Sequence, residues 1–298
     1  MGFVPVVTGS RGVEDVLART ARRLRTTTTL VLAPAGGDIR DGAGNGGRSA
    51  LLVDPAWEPD ELVAIAAEVG DRGGRLVAGY ATHAHHDHLL WHPRLGLDVP
   101  RWATARAAQV ARRERARLLA EARADAARYG GAVHPAEVLD LLGRVDPVPA
   151  GEPGVPDPAG ALPPTELVVH DGHAPGHGAL WLPRSRVLVA GDMLSDVELP
   201  LPLDEIADEA AGAEAAARAV ERYLAGLDRL ACLATRAAVV VPGHGTPTSD
   251  ATVRLDADRR YLDAVLAGRA ADDPRLGPPG AAEEDRRLRA TLAGDEPR

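Results

Sequence analysis

The chain has 298 residues, of which 45% are hydrophobic and 26% are charged, a composition typical of folded globular proteins. Its formal net charge of −9 disfavours a nucleic-acid partner, because phosphate binding needs a basic face. A single cysteine, Cys232, excludes an internal disulfide, and its apolar helical surroundings predict a buried, inert thiol.

The N-terminus and the apolar runs bear on where the protein resides. The first residues lack a basic segment followed by a long apolar core, so we expect no signal peptide. No apolar run approaches the ~18 residues that a membrane span needs. These features predict a cytoplasmic protein that does not bind membranes.

Strand and helix signals alternate in the first third of the chain. Apolar runs predict strands at 49–53 and 75–80. Helical spacing between them predicts a helix at 58–69, with Asp60 as its N-cap. The Gly- and Asp-rich stretch 36–47 predicts a loop, and it lacks the Lys of a phosphate-binding loop.

The rest of the chain continues the alternation. Residues 104–129 predict one long helix, rich in Ala and Arg, inside a helical insertion at about 102–145. We expect this insertion to overhang the functional site. The remaining predictions are an irregular connection at 145–164, strands at 166–169, 179–182, 186–190 and 237–241, and helices at about 208–234 and 250–293, with a break near 274–280.

The ten histidines are clustered, with four in 83–88, three in 170–177 and one at His244. Imidazole is the commonest metal ligand, and carboxylates complete mixed sites. Because alternate residues after a strand point the same way, His83 and His85 can meet one ion.

Past the bend, Asp87 and His88 can face a second ion. Neither pair fills a coordination shell, so distant ligands are required. The candidates are His173, Asp192 and His244, each of which follows a glycine in a turn after a strand.

Four motifs, in order along the chain, resemble those of the metallo-β-lactamase superfamily. Asp54 also matches the aspartate that ends an early strand in many members. The run from His83 to His88 resembles the HxHxDH motif of that superfamily, Gly172 to His177 its GHTPGH motif, and Gly191-Asp192 and Pro242 to Gly245 its third and fourth metal motifs.

The resemblance implies an α/β fold, a four-layer αββα sandwich, formed here by one domain over 1–298 with the helical insertion and C-terminal helices. It implies two Zn²⁺ ions, with Asp192 bridging them. It also implies that a zinc-bound hydroxide cleaves a carboxylic ester, thioester or lactone, with Asp87 passing a proton to the leaving group. The implied ligands are His83, His85 and His173 for the first ion, and Asp87, His88 and His244 for the second.

Other residues near the motifs have supporting roles in this interpretation. We expect Asp54 to orient a ligand histidine and His177 to donate or accept a hydrogen bond behind the ligands. Trp91 and His92 are expected to contact the substrate. His86 is expected to point away from the metals and His134 to lie on the surface, while His170 lacks the downstream Pro-Gly-His that identifies His173 as the ligand.

Several functions remain open. The same fold could carry a lactamase, a phosphodiesterase or nuclease, or a mononuclear iron sulfur dioxygenase, and a non-catalytic binding protein is the alternative of another class. His85 stands where the flavin-linked di-iron branch has glutamate, which disfavours redox iron chemistry. We expect a small-molecule substrate, and a homodimer is possible.

Overall fold

Two β-sheets stack face to face in the computed structural model and carry helices on their outer faces. The structure describes residues 2–9, 12–34, 38–40, 46–157, 160–202, 212–278 and 280–294. The strands are β1 Val4–Val7, β2 Asp15–Thr20, β3 Thr27–Leu32, β4 Asp38–Arg40, β5 Gly46–Val53, β6 Gly74–Tyr80, β7 Arg101–Ala103, β8 Asp146–Pro147, β9 Glu166–His170, β10 His177–Leu182, β11 Val187–Gly191 and β12 Val239–Pro242, and the α-helices are α1 Pro59–Asp71, α2 Ala105–Arg113, α3 Arg115–Arg128, α4 Ala136–Leu139, α5 Ala213–Arg236, α6 Ala251–Leu266 and α7 Ala281–Ala293.

The two sheets mix antiparallel and parallel pairing. The first sheet has the order β1-β2-β3-β5-β6-β7-β8, with β4 paired to β5, and it becomes parallel from β5 onward. The second sheet has the order β12-β11-β10-β9, in which β11 and β12 are parallel. Parallel strands end at the same edge of a sheet, so the loops after β5 and β6 lie together, as do those after β11 and β12.

The side-chain period of the strands builds two kinds of core. On β5, Ala50 and Leu52 face the helices that cover the first sheet, whereas Leu51 and Val53 face the second sheet. The same alternation recurs on β10 and β11. Because these strands are buried on both faces, they read in the sequence as continuous apolar runs.

The helices complete the layers. Helices α1 to α4 contribute to the core over the first sheet, and α5 to α7 contribute to the core over the second. The order of layers is therefore helix, sheet, sheet, helix, which confirms the predicted four-layer αββα sandwich.

Two local predictions, the N-cap of the first helix and the burial of Cys232, are wrong. The N-cap of α1 is Glu58, whose backbone N–H donates to Glu61 Oε2 at 3.3 Å, while Asp60 pairs with Arg22. Cys232 is exposed, because it lies beside the buried stripe of α5 and not within it.

The helix predicted at 104–129 is two helices that meet at Glu114. The break lets α2 pack beside β8 while α3 turns toward the functional site.

The loop predicted at 36–47 is partly a strand pair. Residues 38–40 form β4, and 46–47 belong to β5. Residues 36, 37 and 41–45 lie outside the described part of the chain, as do residues 208–211 of the helix predicted at 208–234. Among the described residues, no helix is both long and apolar enough to cross a membrane.

The packing between the sheets is testable at Leu180, which is fully buried on β10. We expect Leu180→Ala to lower the free energy of unfolding by about 2–5 kcal/mol, because it removes apolar burial and leaves a cavity. Leu266→Ala, at a position 49% exposed on α6, should change it by less than about 0.5 kcal/mol. Urea unfolding measures both, and equal losses would contradict the assignment of Leu180 to the inter-sheet core.

Candidate metal centre

All the predicted ligands lie at one edge of the stacked sheets. The loop after β6 carries the first histidine cluster, the turn between β9 and β10 carries His173, and the turns after β11 and β12 carry Asp192 and His244. Hydrogen bonds join the two sheets at this edge, where Gly178 N donates to Thr82 O at 2.7 Å. The edge therefore collects donors that are far apart in sequence.

The first donor group consists of His83, His85, His173 and Asp192. His85 Nδ1 lies 3.0 Å from His83 Nε2 and 3.1 Å from His173 Nε2. Asp192 Oδ2 lies 3.3 Å from His83 Nε2 and 3.4 Å from His173 Nε2. Three imidazole nitrogens and one carboxylate oxygen thus face a common point.

The second donor group consists of Asp87, His88 and His244. The Nε2 atoms of the two histidines are 3.2 Å apart, and Asp87 Oδ2 lies 3.4 Å from the first and 3.2 Å from the second. Asp192 joins this group too, since its Oδ1 is 3.2 Å from His88 Nε2 and its Oδ2 is 3.3 Å from His244 Nε2. Asp192 therefore contacts both groups.

These separations suit a tetrahedral metal. Zinc bonds of about 2.0–2.1 Å to nitrogen imply donor–donor edges of about 3.3–3.4 Å, close to the observed range. Imidazole nitrogens that face each other at 3.0–3.2 Å share either a proton or a metal ion. The donor set, five histidines and two carboxylates, fits zinc chemically.

The electrostatics of the two groups differ. Burial, followed by the neighbouring His88, holds the pKa of His83 well below its usual value. Burial also acts to lower the pKa of His88, but the carboxylates of Asp192, Asp87 and Asp54 outweigh it and raise that pKa well above the usual value. The site therefore attracts positive charge, and metal binding must displace protons from it.

Two glycines make the turns at this edge possible. Gly191, just before Asp192, has a φ of +58°, a conformation that L side chains rarely adopt. A Cβ at Gly243 would lie 1.9 Å from Asp192 Oδ1, so only glycine leaves room for that carboxylate. The expectation that glycine allows close approach at these turns is met at both positions.

Asp54 and His177 lie directly behind the donors. Asp54 Oδ2 is 3.0 Å from His88 Nδ1, and its two oxygens accept hydrogen bonds from Thr82 N and Oγ1 at 2.8 and 2.7 Å. His177 Nε2 accepts from Asp192 N at 3.2 Å. Burial lowers the pKa of His177 well below its usual value, which keeps that nitrogen available as an acceptor.

The loop that follows Asp192 is anchored from the C-terminal part of the chain. Arg275, paired with buried Asp258 at 2.5 Å, donates to the backbone oxygens of Ser195 and Glu198 at 3.2 and 3.1 Å. Ser195 Oγ in turn donates to His244 O at 2.8 Å. The backbone of the loop after Asp192 is thus held by several hydrogen bonds.

The turn between β2 and β3 also reaches the donors, which the sequence analysis did not predict. Thr26 Oγ1 donates to Asp87 Oδ2 at 2.7 Å, and Leu24 O lies 2.5 Å from His244 Nδ1. Thr27 N donates to Gly243 O at 2.6 Å. No local motif marks these residues, since the side chains that they meet are 61 and 220 positions away.

A cavity of about 280 Å³ opens above the donors. Its floor includes ligand side chains, and helix α3 forms one wall through charged residues on a single stripe. The expectation that the insertion lies over the site is met by this wall. The wall residues are Arg117, Glu121, Asp125 and Arg128, followed by Tyr129 at the helix C-cap.

Trp91 and His92 do not line this cavity, contrary to their predicted role as substrate contacts. Trp91 is 2% exposed and packs in the core against Gly79, and its Nε1 donates to Gly96 O at 3.0 Å. His92 caps a short 3₁₀ helix by accepting from Arg94 N at 3.1 Å. Trp91 thus packs against β6, and His92 serves as a cap.

Three other histidines complete the comparison with the sequence. His86 does not point away but lines the cavity, with its Nε2 3.3 Å from Asp125 Oδ2 on α3. His134 is buried, not on the surface; it lies edge-on to Trp57 at 5.0 Å, and burial lowers its pKa to about 4. His170 stacks on His177 at 4.6 Å, outside both donor groups.

Comparisons with known proteins agree with this architecture. The family model of the metallo-beta-lactamase superfamily matches residues 43–244, about two thirds of the chain. No curated protein matches the chain.

Solved structures with a similar fold include a beta-lactamase domain protein from Burkholderia ambifaria, which is 21% identical with a TM-score of 0.56, covering 89% of this chain and 74% of that one. A metallo-beta-lactamase family protein from Thermus thermophilus is 22% identical with a TM-score of 0.53, covering 94% and 89%. At these identities the likeness bears on the fold.

Proposed function

The chain belongs to the metallo-beta-lactamase superfamily, and on that premise we propose that it is a hydrolase that holds two zinc ions. The observation that carries the proposal is that both donor groups are complete and share Asp192. His83, His85 and His173 would hold one ion, Asp87, His88 and His244 the other. Two complete groups favour a two-ion centre over the mononuclear iron alternative.

Bound zinc supplies a water activated at neutral pH and polarises a substrate carbonyl. The protein's own residues set the geometry. Asp54 Oδ2, 3.0 Å from His88 Nδ1, favours a proton on that nitrogen and leaves Nε2, which faces Asp87 and Asp192, as the ligand atom. Asp87 lines the cavity, and burial, which opposes ionisation, is outweighed by His88 and His244, so its pKa lies well below the usual value.

An ionised Asp87 can accept a proton and pass it to a leaving group, which is the role we propose for it. We propose a carboxylic ester, thioester or lactone as the substrate. The net charge of −9 and the acidic residues Glu121, Asp125 and Glu198 around the cavity disfavour a nucleic acid. A small molecule fits a cavity of about 280 Å³.

The first test measures metal content and turnover together. Zinc-loaded protein should carry about two zinc ions per chain by elemental analysis, because the donors form two groups. It should then hydrolyse at least one member of a panel of esters, thioesters and lactones, assayed beside a β-lactam and a phosphodiester. One bound iron would favour the dioxygenase, absence of any metal would favour a binding protein, and turnover of only the β-lactam or phosphodiester would reassign the substrate.

The second test removes the shared carboxylate. We expect Asp192→Ala to lower kcat/KM more than about 100-fold, because both ions lose a ligand, while circular dichroism shows the fold unchanged. Asp228→Ala is a control, since Asp228 is an exposed carboxylate on α5 that lies outside both donor groups. Wild-type turnover by Asp192→Ala with two ions still bound would refute the shared role.

The third test concerns α3 as the wall that selects substrates. Arg128 lines the cavity, and among the described residues no carboxylate lies within ion-pair distance of it. We expect Arg128→Gln to raise KM about tenfold for an acyl group that ends in a carboxylate and to leave KM for the neutral analogue unchanged. Arg123→Gln, on the same helix but outside the cavity lining, is the control. If Arg128→Gln changes KM equally for the charged and the neutral substrate, this wall does not select for charge.

A further inference from the structure

The turn at residues 21–27 joins β2 to β3 and lies before residue 43, where the family match begins. Its two central residues, Leu24 and Arg25, have φ values of +53° and +60°. The left-handed region costs an L residue roughly 1–2 kcal/mol, so such a pair persists only where its surroundings enforce it. The contacts of this turn show what enforces it.

One contact reaches Asp87. Thr26 is fully buried, and its Oγ1 donates to Asp87 Oδ2 at 2.7 Å. The same oxygen of Asp87 faces the Nε2 atoms of His88 and His244. The hydroxyl thus fixes the rotation of this carboxylate within the second donor group without removing its charge.

A second contact reaches His244. A carbonyl oxygen can only accept, so Leu24 O, 2.5 Å from His244 Nδ1, requires the proton on Nδ1, which Glu198 Oε1 also faces at 3.2 Å, and leaves the Nε2 lone pair facing the donors. The backbone of the turn is tied to the same loop, because Gly245 N donates to Arg25 O at 2.9 Å and Thr27 Oγ1 donates to Gly245 O at 2.8 Å. The left-handed conformation of Leu24 and Arg25 allows the turn to contact His244 through Leu24 O and Asp87 through Thr26 Oγ1.

We propose that the turn 21–27 is a positioning element for the second metal subsite, with Thr26 as the residue that holds Asp87. The inference rests on the metal assignment of the proposed function and not on the substrate. Of the proposed ligands, Asp87 and His244 are the two that the hydrogen bonds of the turn reach, and both belong to the second donor group. Loss of these contacts is therefore expected to weaken the second ion more than the first.

The test compares the two zinc affinities by titration against a chromophoric chelator. Thr26→Val keeps the shape of the side chain and removes the hydroxyl. We expect it to raise the same zinc Kd that Asp87→Ala raises, by about 10–100-fold, the usual effect of losing a hydrogen bond behind a metal ligand, and to leave the other Kd unchanged. Thr26→Ser, which keeps the donor, should restore the wild-type value.

Thr29→Val is the matched control. Thr29 lies on the adjoining strand β3, is fully buried, and its Oγ1 has no hydrogen-bond partner in the described structure. Removing this hydroxyl should leave both zinc affinities unchanged, because no partner is orphaned. If Thr29→Val lowered the zinc affinity as much as Thr26→Val does, the effect would not depend on the contact with Asp87, and the proposal would be overturned.

A double-mutant cycle separates positioning from general stability. In an Asp87→Ala background, Thr26→Val should cause no further change in either Kd, since Thr26 acts through Asp87. Unchanged affinities in Thr26→Val alone, or equal weakening of both ions, overturn the inference; if Thr26→Val does not fold, a weakened second ion in Thr26→Ser overturns it instead. Because no substrate enters the titration, a protein that binds two zinc ions but hydrolyses nothing would refute the proposed function and not this inference.

Discussion

The constraint on which this molecule depends is the convergence of seven donor side chains whose atoms approach to 3.0–3.4 Å. These donors come from distant parts of the chain, so the fold must bring them together and hold them in place. It does so by placing every donor in a short loop at the edge of two stacked sheets, where each loop is fixed by the strand before it. The scaffold is rigid because its strands are buried on both faces.

A second set of residues determines which atom each donor presents. Asp54 faces Nδ1 of His88, Leu24 O faces Nδ1 of His244, and His177 accepts from the backbone of Asp192. Each contact leaves a lone pair or a charge facing the shared centre. The ligand set alone, without these partners, would define neither tautomer nor orientation.

The sequence predicts the layers and the donor side chains that the fold brings together, for a physical reason. Strands buried on both faces appear as apolar runs, and a donor that ends such a run has its direction determined locally. The predictions that the structure contradicts concern residues whose positions depend on contacts with distant parts of the sequence. Thr26 donates to Asp87, which is 61 positions away in the sequence. Trp91 packs in the core against Gly79, which has no side chain to occupy that space. His134 is buried against Trp57. The break at Glu114 carries no glycine or proline, and only the packing of α2 and α3 on different parts of the fold requires it.

The bond from Thr27 N to Gly243 O joins the N-terminal hairpin to a turn far along the chain, and Arg275 anchors the loop of Asp192 from still farther along. During synthesis the ribosome releases the histidine cluster of the first sheet long before the residues that complete it. The turn between β2 and β3 lacks its hydrogen bond to Gly243 until that residue has been synthesised, and the loop of Asp192 lacks its anchor until Arg275 has been synthesised. Contacts of such separation form late, because closing the intervening loop costs entropy before it brings any gain. We therefore expect the complete donor set to assemble among the last steps of folding.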